Sequence, residues 1–294
     1  MALTIPCNTR SIASIEEYVD HVRSKVDLRD LDSLADSATM LRALSNDRTL
    51  VVRELNNLIV NAVAYLQLTS AQTIVLGRGE GFYVRANLWP AIGDMSNARA
   101  YQNQFAYNIA HDHNFTFMTV THLGPGYETE IYEYDYERVE GYVGESVDLR
   151  FLEKTRFTTG AVMLYRASRD AHVQHAPEDL TVTLNLMVAA EGVPRDQYQF
   201  DLASRTISAV GDMHAAARMS LINLAASVGD EQTLGLLHDV AAKHPCRQTR
   251  LSAFNALSQK LPAEASKVWR QAARDPAPLV ANAARKRLAK LDAG

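Results

Sequence analysis

The chain has 294 residues, 47% of them hydrophobic and 22% charged, enough to bury a sizeable core in more than one domain. A formal net charge of −4 excludes the basic surface that nucleic acid or an anionic membrane selects, and no window approaches the roughly 20 apolar residues of a membrane span. Residues 1–7 lack a basic start followed by an apolar run, and the two cysteines, Cys7 and Cys246, lie in segments of different character, which predicts a cytoplasmic protein without a stapling disulfide.

From Ser14 to about Leu68 the apolar residues recur at helical spacing, which predicts a helical N-terminal layer over residues 1–70. Asp47 reads as the N-cap of a helix of about five turns running to Leu66. Strand character begins at Thr73. Gly77, Gly79 and Gly81 suggest a phosphate loop, but they lead into another strand, Phe82 to Asn87, where a phosphate site needs a helix N-terminus, so a hairpin is expected. Strand signals then continue to about residue 190, with turns at Gly124-Pro125-Gly126, Gly141 to Gly144 and Thr158 to Gly160. Short strands at that spacing favour an antiparallel barrel or sandwich over a parallel sheet; a β-barrel is placed at 71–209, with helices on either side, an α+β chain.

Within that region His111-Asp112-His113 opens an alternating run. Side chains on a strand alternate with a period of two, so His111, His113, Phe115, Phe117, Thr119 and Thr121 share a face on which one metal ion can meet both imidazoles. His122 has the opposite parity. Further candidates stand in Asp170 to Pro177, before the next alternating strand. His172 and His175 differ in parity, and His172 is the preferred third ligand because Gln174 then points the same way and can orient a ligand or water; His175 is the alternative. Tyr132, Tyr134 and Tyr136 alternate with Glu133, Asp135 and Glu137, the pattern of a hairpin with one aromatic and one acidic face, from which Tyr134, or Tyr165 farther on, reaches toward a metal-bound oxygen. Arg85, on the strand from Phe82 to Asn87, reads by itself as half of a structural ion pair.

Beyond Ala209 the composition turns to Ala, Leu, Arg and Asp. The stretch from His244 to Leu257 can be laid over that from Asp275 to Leu288 at a shift of 31 positions. A period of that size predicts paired helices over 210–294 resembling HEAT repeats, a surface for a protein partner or a second copy of the chain.

Metallo-β-lactamases place Asp-His two residues beyond an HxH pair, where this chain has Phe115-Thr116. The His-x-His strand, its hairpin and the later histidine resemble the cupin superfamily, and within it the cysteine dioxygenase-like thiol dioxygenases. Tyr83-Val84-Arg85-Ala86-Asn87, its arginine 26 positions before His111, is similar to a Tyr-x-Arg-Asn stretch of that family. The glutamate that ordinary cupins carry four or five places past the second histidine is absent, with Phe117 and Met118 in its place. The family's Ser-x-His-x-Tyr near the last strand is also absent, and Thr183 to Met187 stands there. The resemblance implies Fe(II) on His111, His113 and His172, a carboxylate on Arg85, and an oxygenase acting with O2 on a small amino-acid-like or thiol substrate. Imidazole suits other divalent metals equally, so an isomerase, decarboxylase or hydroxylase is the rival enzyme, and a ligand-binding sensor or scaffold the rival outside catalysis.

Overall fold

The computed structural model describes residues 3–60, 72–94, 105–189, 195–211 and 213–292. The chain divides into two compact units, residues 1–134 with 149–190, and residues 135–148 with 191–294.

The first unit starts with strand β1 (Leu3–Ile5) and helices α1 (Ile15–Lys25), α2 (Leu31–Asp36), α3 (Ala38–Ser45) and α4 (Leu50–Val60). Helix α1 begins where the sequence signals it. Ser14 accepts from the Glu17 amide while Glu17 reaches back to the Ser14 amide, a reciprocal cap that satisfies two otherwise orphaned donors. The expected continuation of α4 to Leu66 lies outside the described residues.

Nine further strands follow in this unit: β2 (Thr73–Gly79), β3 (Phe82–Trp89), β4 (Ala110–Asp112), β5 (Phe117–Leu123), β6 (Tyr127–Glu133), β7 (Arg150–Phe157), β8 (Val162–Tyr165), β9 (Asp170–Gln174) and β10 (Thr181–Val188). The glycine-punctuated stretch is the β2–β3 hairpin. One sheet runs in the order β1-β8-β5-β10-β3-β2, and the second contains β4-β9-β6-β7, all antiparallel.

The expected closed barrel is not seen. Edge strand β2 belongs to one sheet and edge strand β7 to the other, and they do not pair. The single strand expected from His111 to Thr121 is also broken. Residues 113–116 leave the extended ladder, so β4 belongs to one sheet and β5 to the other. The return crossing is made at Gly124-Pro125-Gly126, where both glycines have positive φ and a Cβ would strike the backbone oxygens of Leu180 and Phe157, so this tight passage admits only glycine.

Alternation builds the two faces of the first sheet. Val84, Ala86, Met118, Val120, Val162, Leu164, Leu184 and Leu186 join Tyr18, Leu34, Leu41 and Leu44 of the helices in one core. Their sequence neighbours Phe117, Met163, Tyr165 and Met187 point the other way and pack with Tyr127, Ile131 and Phe157 of the second sheet. Leu184 is fully buried on central strand β10. We expect Leu184→Ala to cost about 2–5 kcal/mol through lost transfer energy and the cavity left behind, read as a lower urea midpoint with unchanged slope.

The second unit holds the hairpin of β11 (Gln197–Asp201) and β12 (Thr206–Gly211), along which residues 144–147 run with backbone bonds to Arg205 and Ile207. This hairpin, expected among the barrel strands, groups with the helices α5 (Met213–Val228), α6 (Glu231–Lys243), α7 (Arg247–Lys260), α8 (Ala265–Ala272) and α9 (Pro278–Leu291). Leu237, Phe254, Leu257, Val268, Trp269 and Val280 form their core. The two stretches related by 31 residues both contain a helix, α7 and α9. Among the described residues no helix is long and apolar enough to cross a membrane.

Candidate metal centre

Register brings the histidines together. In the β4–β9 pair His111 lies opposite His172, and His113 follows one alternation later where the chain leaves β4. Ring centroids are separated by 4.6 Å (His111–His172), 4.9 Å (His111–His113) and 5.3 Å (His113–His172), and one nitrogen from each lies within 4.8 Å of the others. His113 Nε2 is 3.2 Å from His172 Nε2. Two nitrogens each about 2.1 Å from one ion stand roughly 3.0 Å apart at a right angle and roughly 3.4 Å apart at a tetrahedral angle, so the spacing fits two ligands of one ion. His111 Nδ1 is 2.9 Å from the Ile109 carbonyl; a carbonyl only accepts, so Nδ1 carries the proton and Nε2 keeps the lone pair that a metal needs.

Electrostatics agree with that role. Burial holds His113 and His172 well below the ordinary histidine range, with the neighbouring imidazoles adding to it, and burial lowers His111 as well. Three neutral imidazoles therefore face one another at neutral pH, and neutral imidazole is the ligating form. In the metal-free protein these histidines bind fewer protons folded than unfolded in the window below the unfolded value of about 6.5. Stability is then expected to be complete above that window and to fall as pH drops through it. A thermal midpoint that declines from pH 7 to pH 5, and declines less in His113→Gln, is the check.

The imidazoles open on a cavity of about 170 Å³ between the two sheets, lined also by Arg85, Asn87, Trp89, Phe105, Phe117, Thr119, Tyr127, Gln174, Thr183 and Asn185. Arg85 shares this cavity with the histidines. Its Nε is buried without a hydrogen-bond partner, as are His172 Nδ1 and Gln174 Nε2. Buried polar groups are normally satisfied, and here three such orphans stand around one cavity. No carboxylate pairs with Arg85 among the described residues, unlike the structural ion pair that was its other reading.

The remaining candidates stand apart from this cluster. His175 bonds through Nδ1 to Asn108 and through Nε2 to Glu130, at 2.8 and 3.0 Å. The Tyr134 hydroxyl donates to Asp112 at 2.7 Å, on the side of β4 opposite the histidines. Tyr165 stacks on Phe117 and lies 4.9 Å from the His172 ring, but its hydroxyl is directed at Met163 Sδ. Neither tyrosine lines the cavity. Tyr127 does, just after the Gly126 turn, and so do Asn87, Thr183 and Asn185. The signal for the last two was the alternation Thr181-Val-Thr-Leu-Asn-Leu-Met187. A strand that buries polar residues on one face lines something polar there.

No protein-family model and no curated protein matches the chain. Among solved structures it is similar to a chain of the DMSP lyases RdDddP and RnDddQII, at 11% identity and a TM-score of 0.24, covering 42% of this chain and 50% of that one. It is similar to the hydroquinone 1,2-dioxygenase PnpCD, in complex with Cd2+ and 4-hydroxybenzonitrile, at 15% identity and a TM-score of 0.27, covering 45% of this chain and 72% of that one. A cupin protein from Bacteroides fragilis is similar at 13% identity and a TM-score of 0.22, covering 44% and 86%. The chain thus spans half the length of the first of these. At such scores the likenesses carry no chemistry across, and the side chains above stand on their own.

Proposed function

We propose that this chain is a cupin-type, non-haem Fe(II) oxygenase that acts with O2 on a small carboxylate-bearing molecule. The observation that supports it is the convergence of His111, His113 and His172 beside Arg85, whose buried Nε has no hydrogen-bond partner, in one cavity of about 170 Å³. That volume lies below the roughly 300–1,000 Å³ of pockets for drug-sized ligands, so the substrate is small. His111, His113 and His172 would hold a redox-active divalent ion, which would supply the electron chemistry.

The chain's own residues do the rest. Arg85 binds the carboxylate and fixes the substrate's orientation relative to the imidazoles. Trp89, Phe105 and Phe117 keep water from the cavity. Tyr127, whose hydroxyl burial holds well above its ordinary range, stays protonated and serves as a donor. Tyr165 packs its ring against His172 and limits that imidazole's rotation. The HEAT-like reading of the second unit, with a protein partner or a second copy of the chain docked there, belongs to the same proposal.

Elemental analysis of protein purified without added metal, followed by oxygen-electrode measurements across small carboxylic acids and thiols, is the test. Iron at stoichiometric level with substrate-dependent uptake is expected. Stoichiometric zinc, manganese or nickel with turnover but no oxygen consumption overturns the oxygenase in favour of a non-redox enzyme. Tight metal binding without any turnover favours a sensor.

A further inference from the structure

The cavity has a one-sided charge. Among its described lining residues there is no aspartate and no glutamate, and Arg85 is the only fixed charge. A divalent ion on three neutral imidazoles keeps its whole charge, so with Arg85 the loaded cavity carries +3, with no carboxylate among its described lining residues to offset it. The amides add to this bias. Asn185 Oδ1 accepts from Thr119 and Asn87 Oδ1 accepts from Thr73, so one acceptor position of each amide oxygen is already engaged. Gln174 presents a buried Nε2 without a partner. Trp89 Nε1 already occupies the Thr183 hydroxyl oxygen as an acceptor. Part of the wall's acceptor capacity is thus engaged, and its described charge is positive only, a bias toward an anionic, acceptor-rich guest.

Resting on the metal reading above, we infer that the occupant is a small dicarboxylate, bound as a dianion without an ammonium group, and not the zwitterionic amino acid that the sequence resemblance implies. Each N–H donor finds an acceptor oxygen on such a guest, and two negative charges offset most of the site's positive charge. An ammonium in the same place brings a like charge against Arg85 and the ion. Desolvating that ammonium with no carboxylate among the described lining residues to pair it is costly, because a buried charge is tolerated only when paired.

Malate and aspartate separate these cases, since both carry two carboxylates and they differ in a hydroxyl against an ammonium. Calorimetric titration of the full chain, loaded with Fe(II) under anaerobic conditions at neutral pH, is expected to show malate binding at least tenfold more tightly than aspartate, with succinate also ahead of aspartate. Asn185→Asp, which puts a carboxylate into the wall, is expected to weaken malate and to narrow the ratio by at least tenfold; Gln174→Glu is the parallel variant should the first fail to fold. Aspartate binding as tightly as malate in iron-loaded protein, or no binding of malate at millimolar concentration, overturns the inference and leaves the metal reading standing. A chain that retains no iron yet prefers malate keeps the anion-selecting cavity and sinks the metal reading instead.

Discussion

His172→Ala is expected to lose its metal, with affinity falling by roughly two to three orders of magnitude while the fold remains. A structural zinc site gains about 10–16 kcal/mol from four ligands, so one imidazole accounts for about 2.5–4 kcal/mol. The strand survives because its backbone bonds run to β4 and β6 and need no side chain. His111→Ala and His113→Ala should behave in the same way. His175→Ala is the contrast: its ring is held by Asn108 and Glu130 outside the cluster, so that variant should keep full metal. Metal content of purified protein, with circular dichroism to report the fold, is the measurement. Full occupancy in His172→Ala with loss in His175→Ala would reverse the ligand assignment.

Arg85→Ala is expected to weaken binding of a carboxylate ligand about 10- to 100-fold, the loss of a charge-assisted hydrogen bond worth about 1.5–3 kcal/mol, without releasing metal. Arg85→Lys should recover only part, because a point charge does not reproduce the planar two-pronged donor. A second readout separates recognition from scaffolding. Burial pushes the Arg85 guanidinium below its ordinary range, the sign of a charge kept out of water without a compensating anion. Removing it should leave the ligand-free protein as stable as before or more so, whereas removal of a structural ion-pair partner would lower the thermal midpoint. Lost stability together with unchanged ligand affinity would assign Arg85 to the scaffold.

Both variants bear on features that differ in how far the sequence reveals them. The alternation of β10 is visible in Thr183, Leu184, Asn185 and Leu186, yet in sequence it reads only as a strand with two faces. Its polar face acquires meaning when Arg85 is found opposite Asn185, and Asn185 opposite Thr119, in one antiparallel register. Tyr134 and Tyr165 illustrate the reverse. Their positions near the histidines in sequence made them candidates for proton transfer, but a hydroxyl takes the best acceptor that packing offers. Asp112 and Met163 are the partners that it found.

What the sequence determined by itself is local: the helical spacing that begins at Ser14, the Gly77 to Gly81 hairpin, and the shared side of His111 and His113. Each depends on covalent geometry over a few residues, which repeats in any fold containing the segment. The tertiary structure alone decided that the chain changes sheets at residues 113–116, that open sheets stand where a closed barrel was expected, and that His172 sits across from His111. Those features depend on pairing between segments far apart in the chain. Register between such strands is set by which apolar faces must be buried together, and no single segment carries that information.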